Sequence, residues 1–139
     1  MSAGFPPKIC SLFVDKLFEE EAKFKCHILD VGCGKGYTGE LLKSLGFFRL
    51  TGLDCSNALL TLAKEKKCYD SLEKMVFGAD DFVVPDAYLD KFTFVISNSM
   101  INNEGFDEKV FKDLLKCCKM DGFVIFATKL SNNGDNMYE

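Results

Sequence analysis

Three observations predict an α/β chain built as a doubly wound, mostly parallel sheet of about five strands. Short apolar runs alternate with segments of helical spacing along the whole length. One early run, Ile28-Leu29-Asp30-Val31, is nearly all apolar, as a strand covered on both faces requires. It stops at the glycine-dense turn Gly32-Cys33-Gly34-Lys35-Gly36 and restarts as a helix. Strand, turn and helix in that order put a loop that ligands can approach at the carboxyl edge of a sheet.

Each element follows from local pattern. Residues 1–7 carry Pro6 and Pro7 and read as a loose entry. From Lys8, the positions Ile9, Leu12, Phe13, Leu17 and Phe18 recur at helical spacing, predicting one amphipathic helix to about Lys23 with Glu19-Glu20-Glu21 on its solvated face. Cys26–Val31 is the first strand. Tyr37–Leu45 leaves the loop as a helix with Leu41, Leu42 and Leu45 inward and Gly46 at its end, and Gly39 sits where it must approach the strand. Leu50–Leu53 is a second strand ending at Asp54, after which Ser56 caps a helix with Leu59, Leu60 and Ala63 inward. Lys74–Gly78 reads as the third strand, followed by the acidic turn Asp80-Asp81 and a loop with Pro85. Phe92–Ser97 is the fourth. Asp107 then caps a helix presenting Val110, Phe111, Leu114, Leu115 and Cys118 on one face. Asp121-Gly122 reads as a tight turn before a fifth strand, Phe123–Thr128, and 131–139 as a frayed polar tail. The alternation implies right-handed crossovers within one domain, 1–139 with its core at 8–130, without repeat or linker.

The totals narrow the function classes. A chain of 139 residues, 47% hydrophobic and 27% charged, has the make-up of an ordinary globule. A net charge of −4 without a Lys/Arg cluster argues against a nucleic-acid surface and favours small-molecule work. The first twenty residues lack a signal-peptide pattern, and no apolar run approaches the ~20 residues of a membrane helix. The cysteines Cys10, Cys26, Cys33, Cys55, Cys68, Cys117 and Cys118 are odd in number and without zinc spacing. They read as reduced thiols of a cytoplasmic protein, with no metal site.

Two glycine registers overlap in the loop. Gly34-x-Gly36-x-x-Gly39 fits a dinucleotide fingerprint, while Asp30-x-Gly32-x-Gly34-x-Gly36 fits an S-adenosylmethionine loop. A dinucleotide puts an anionic pyrophosphate at the helix N-terminus, where the Asp30 carboxylate repels it. S-adenosylmethionine carries a cationic sulfonium and an amino group, which a carboxylate suits. Asp54, at the end of the next strand, is placed to accept two ribose hydroxyls, its alternative being the cap of the following helix.

With these positions laid out, the chain resembles class I S-adenosylmethionine-dependent methyltransferases over about residues 8–130. Leu29-Asp30-Val31-Gly32-Cys33-Gly34-Lys35-Gly36 is similar to the family's first motif and Gly52-Leu53-Asp54-Cys55-Ser56 to its second. Gly78-Ala79-Asp80-Asp81-Phe82 resembles the third, whose acidic turn contacts adenine. Phe94-Val95-Ile96-Ser97-Asn98 occupies the place of the fourth, and Lys119-Met120-Asp121-Gly122-Phe123 that of the turn before strand five. Within the family it is most similar to small methyltransferase-like proteins related to the Williams–Beuren-region member. The resemblance implies a Rossmann-like fold and a cofactor site of Asp30, Gly32, Cys33, Gly34, Gly36, Asp54, Cys55, Asp80, Asp81 and Ser97. It also implies a departure, since the family's fold continues past strand five with a helix and two more strands that this chain leaves no room for. Strand five is then an edge open to a second copy or a partner.

No nucleophile or acid–base pair stands out. Methyl transfer needs none when an activated methyl is held in line with its acceptor; where a proton must leave, Asp81 or a residue of 97–104 is the candidate base. His27, the single histidine, lies inside strand one and reads as structural. The Cys33 thiol reads as a bystander and Phe82, Phe92 and Phe94 as core. Lys35 lacks the P-loop spacing. No Asn-Pro-Pro-Tyr sequence follows strand four, so a nucleic-acid-base methyltransferase is unsupported. Three functions follow: a methyltransferase acting on a small-molecule acceptor, an inactive cofactor-binding or regulatory module completed by a partner, and an NAD-dependent oxidoreductase, which Asp30 disfavours.

Overall fold

A computed structural model describes residues 14–98 and 107–126. The chain runs through α1 (Glu20–Lys23), β1 (His27–Val31), α2 (Tyr37–Ser44), β2 (Arg49–Asp54), α3 (Asn57–Glu65) and β3 (Ser71–Lys74). After a 3-10 turn (Asp86–Tyr88) come β4 (Phe92–Ser97), α4 (Glu108–Cys117) and β5 (Cys118–Phe126). The five strands form one sheet in the order β3-β2-β1-β4-β5, every pair parallel. The chain winds outward from β1 to β3, then crosses back to lay β4 on the other side of β1. The strand order therefore reverses between β1 and β4, and the crevice outside their carboxyl ends is where such sheets hold ligands.

Alternation along the strands sends side chains into two cores. Leu29, Val31, Leu53 and Val95 meet Val110, Leu114 and Cys117 of α4 on one face. Ile28, Leu50, Phe94 and Ile96 meet Leu42, Phe47 and Val14 on the other. Burial on both faces explains why β1 and β4 are nearly continuous apolar runs. The starts of α3 and α4 are set by side chains. Ser56 Oγ accepts from the Leu59 amide at 3.2 Å, and Asp107 Oδ1 accepts from the Lys109 and Val110 amides at 2.9 and 3.3 Å.

Five expectations need correction. The helix expected from Lys8 to Lys23 is interrupted: residues 14–17 are helical, but Glu19 is extended (φ −71°, ψ 154°) and α1 starts afresh at Glu20. The buried Lys23 ammonium explains the break, because it reaches both Asp15 and Glu20 and caps the Leu45 carbonyl at 2.8 Å. The third strand is Ser71–Lys74 rather than Lys74–Gly78. It is an edge strand with polar residues, whereas the apolar run after it turns at Gly78 (φ 82°) and drives Phe77 into the core. The fifth strand starts at Cys118, and Asp121-Gly122 lies within it, where the pairing jumps from Phe92↔Cys118 to Phe94↔Phe123. A Cβ on Gly122 would stand 2.6 Å from the Thr93 carbonyl, so the backbones close on each other there. On α4 it is Cys117 that is buried; Leu115 is 47% exposed, and Cys118 belongs to β5. The second strand starts one residue earlier than expected, at Arg49. The expected helix start at residues 8–13, most of the loop 98–105 and the tail from 127 lie outside the described residues.

Candidate cofactor site

The glycine loop leaves β1 and folds back on the end of β2. The Gly32 and Cys33 amides both donate to the Leu53 carbonyl, at 2.8 and 2.9 Å. Gly36, the residue that opens α2, has φ 91°, a left-handed conformation that glycine adopts without strain. Asp54 ties the loop to the strand ends: one carboxylate oxygen accepts from the Gly34 amide and the other from the Ser56 amide, each at 2.9 Å. Each oxygen keeps a second lone pair, so the side chain can still receive two ligand hydroxyls. Cys55, next in sequence, is exposed at the rim, while Cys33 is buried, with its thiol pushed far above its usual range by burial and by Asp30 and Asp54. That thiol is no nucleophile.

Asp30 points from β1 toward the α2 side of the sheet and is 2% exposed. Tyr69, in the link between α3 and β3, donates its hydroxyl to Asp30 Oδ2 at 2.6 Å and accepts from the Gly39 amide at 3.1 Å. The ring fills a slot floored by glycines. A Cβ on Gly39 would fall inside it, and those on Gly36 and Gly52 would stand 3.2 and 2.9 Å from it. Burial raises the Asp30 carboxyl to about 7, the Tyr69 hydrogen bond opposes this, and the Asp54 charge adds to it. The Tyr69 hydroxyl is itself pushed well above its usual range by burial and by Asp30, and so stays protonated as the donor. Two carboxyl groups thus lie close together beneath the loop, and the Asp54 charge disfavours ionisation of Asp30.

Asp80 and Asp81 are exposed on the turn after β3. Asp81 lines an open recess with Lys74, Met75, Val76, Ala79, Phe82 and Val83, to which the glycine loop contributes no residue. Two strand spacings, about 10 Å, separate β3 from β1, so the two parts can bear on opposite ends of one elongated ligand. Two residues that the sequence did not single out hold this turn: the buried Asp113 accepts from the Gly78 amide (3.4 Å) and from Lys109, whose ammonium also donates to the Phe82 carbonyl at 3.0 Å. Ser97 is fully buried at the end of β4, beside the crevice. His27 lies at the opposite edge, its Nε2 3.2 Å from Thr51 Oγ1 and its ring edge-on to Phe92; burial lowers its pKa. Among the described residues no cluster of His, Cys, Asp and Glu has metal-binding geometry, and no helix is long and apolar enough to cross a membrane.

Fold and site together define a Rossmann-like α/β protein with a glycine loop and a strand-two acid at its switch point. A family model described as a methyltransferase domain matches residues 22–135, and the chain belongs to that family. It is 27% identical to a ribosomal protein L11 methyltransferase of Acetivibrio thermocellus over 68% of its length, and 28% identical to a malonyl-[acyl-carrier protein] O-methyltransferase of Priestia megaterium over 73%. It spans 28% and 36% of those two relatives. An S-adenosylmethionine-dependent methyltransferase from Mesorhizobium loti superposes with a TM-score of 0.63 at 19% identity, covering 90% of this chain and 55% of that one.

Proposed function

We propose that the chain binds S-adenosylmethionine across the glycine loop and transfers its methyl group to a small-molecule acceptor, as a cytoplasmic enzyme. The observation that carries this reading is Asp54, fixed by two backbone amides with a lone pair still open on each oxygen. In this reading Asp54 takes the ribose hydroxyls with Cys55 beside it, and Gly32, Cys33, Gly34 and Gly36 offer bare backbone. Asp30 supplies negative potential from beneath, Asp80 and Asp81 border the adenine, and Ser97 borders the reacting end. The bound cofactor supplies a methyl carbon already activated by a positive sulfur; this chain's residues bind and orient it, and none acts as a nucleophile. The narrower likeness to the Williams–Beuren-region relatives belongs to the same reading.

A dinucleotide fits less well, because the Asp30 carboxyl lies beneath the loop against which its anionic pyrophosphate would rest. Titration calorimetry tests this. S-adenosylhomocysteine should bind the wild-type chain and bind Asp54→Ala at least tenfold more weakly, while NAD should give no heat. Binding of NAD without S-adenosylhomocysteine would end this reading. Methyl transfer to a metabolite pool, with Asp54→Ala as control, separates an enzyme from a module that binds without turnover.

A further inference from the structure

The acidic turn after β3 is seated on a helix from much later in the chain. Within the turn, the Phe82 amide donates to the Ala79 carbonyl at 3.0 Å. Further ties come from α4. The Lys109 ammonium donates to the Phe82 carbonyl and to Asp113 Oδ2, each at 3.0 Å, and the same carboxylate oxygen accepts from the Gly78 amide at 3.4 Å. The ammonium also lies 5.7 Å from the centre of the Phe82 ring, which packs on Phe77 at 4.8 Å. Gly78 abuts Val110 so closely that a Cβ would stand 2.4 Å from its Cγ2. Both ends of the turn therefore rest on the first two turns of α4, while Asp80 and Asp81 at its tip are exposed. No residue of α4 lines the recess that Asp81 borders.

Stability alone does not account for this arrangement. Asp113 is 3% exposed, and a buried ion pair adds little over apolar residues of similar size, because desolvation cancels most of the attraction. What the pair supplies is direction. An ammonium pinned by a buried carboxylate one helical turn away is aimed at a single backbone carbonyl. Discrimination at the tip needs such fixed geometry. A carboxylate only accepts hydrogen bonds, so it suits a purine with an exocyclic amino group and meets the oxo group of its deaminated form with no donor between them. A site built to accept an N–H rejects the analogue lacking it only while the acceptor is held in place.

We propose that Lys109 and Asp113 are positioning residues for the cofactor's adenine, fixing the Asp80–Asp81 tip through the Gly78 amide and the Phe82 carbonyl so that a carboxylate there accepts the exocyclic amino group. This rests on the cofactor reading above, and it places adenine selectivity under the control of a helix outside the recess.

Calorimetry on the full chain compares three probes. S-adenosylhomocysteine carries adenine and the amino-acid tail, S-inosylhomocysteine replaces the exocyclic amino group with an oxo group, and 5′-methylthioadenosine keeps adenine without the tail. The wild-type chain should bind S-adenosylhomocysteine about tenfold more tightly than the inosyl compound, a difference of about 1.4 kcal/mol. Lys109→Met should cut that preference to about twofold, and Lys109→Arg, which keeps a cation able to reach both acceptors, should hold it near about fivefold. The ratio of S-adenosylhomocysteine to methylthioadenosine should stay within about twofold throughout, since the changes lie on α4. Lys109→Met alone leaves the Asp113 charge buried without its partner and should lower the thermal midpoint. The double variant Lys109→Met/Asp113→Asn removes both charges and keeps an oxygen for the Gly78 amide. It should recover most of the wild-type midpoint without recovering the adenine preference, a separation that a purely structural pair would not give. An undiminished preference in the folded double variant, or equal weakening of both purine probes, would overturn the proposal. A wild-type chain that binds S-adenosylhomocysteine and the inosyl compound equally would overturn it too, leaving the cofactor reading in place. If the wild-type chain binds none of the three, the cofactor reading has failed first, and this proposal falls with it.

Discussion

Asp30 sits at the junction of folding and ligand binding. Its carboxyl is raised to about 7 by burial, with the Asp54 charge adding and the Tyr69 hydroxyl opposing. A bound cation near the loop favours the ionised form, and the coupling is reciprocal: ionisation must favour the cation. S-adenosylmethionine carries the positive sulfur and S-adenosylhomocysteine does not. As pH rises from 6 to 8 and Asp30 loses its proton, affinity for the first relative to the second should therefore rise, by about threefold to tenfold. In Asp30→Asn the ratio should be flat over the same range. Paired calorimetric titrations check both. A falling ratio would mean that the sulfonium lies beyond the reach of this carboxylate.

At the scale of the element, α2 is docked by what it lacks. Gly39 has no side chain because the Tyr69 ring occupies the space against it, and Gly52 opens the β2 wall of the same slot. Gly39→Ala should cost about 2–3 kcal/mol in urea denaturation, since the ring has to be displaced from a packed site. Made in a Tyr69→Leu background, the same change should cost under about 1 kcal/mol, so the double variant is less destabilised than the sum of the two single changes. The start of α4 carries a different kind of information. Asp107 accepts from two amides of the first turn, and α4 in turn holds the Gly78–Phe82 turn through Lys109 and Asp113. Asp107→Ala should cost about 1 kcal/mol of stability and leave binding at the glycine loop within about twofold.

Across the whole molecule, Asp30 sets an unusual slope of stability against pH. An ordinary unfolded aspartate has a pKa near 3.9, below the folded value of about 7. Between these values the folded chain holds a proton that the unfolded chain has lost. Stability from this group is thus complete below about pH 4 and is lost as pH rises through about 7, by an amount on the order of a few kcal/mol. Thermal melts should show a midpoint that declines from pH 5 to pH 8 in the wild type and declines less in Asp30→Asn. Saturating S-adenosylmethionine should restore the midpoint most at pH 8, because it binds the ionised form. Among the described residues β5 is the last strand of the sheet, and Met120 and Phe123 are exposed along it at 97% and 47%. Pairing of that strand with a second copy remains a proposal, which light scattering at high concentration tests.

The sequence by itself determined the α/β class, the order of its elements, the glycine loop and the acid closing β2. Each is written in contiguous residues: a buried parallel strand needs an unbroken apolar run, and a loop that abuts backbone needs glycine. The same logic failed at β3. An edge strand paired on one side needs no apolar run, and the run beside it serves a turn plugged into the core by Phe77. Tertiary structure alone decided where Asp30 points. Its partner Tyr69 lies 39 residues away and carries no local signature, and the slot that receives it is shared among Gly36, Gly39 and Gly52. The hydrogen bond from Asn98 Nδ2 to Thr38 Oγ1, between residues 60 apart in sequence, forms only where β4 lies beside β1. Local pattern specifies elements because propensity and burial act over a few residues. Charge state and the free lone pairs of a site depend on groups that meet only when the crossovers close.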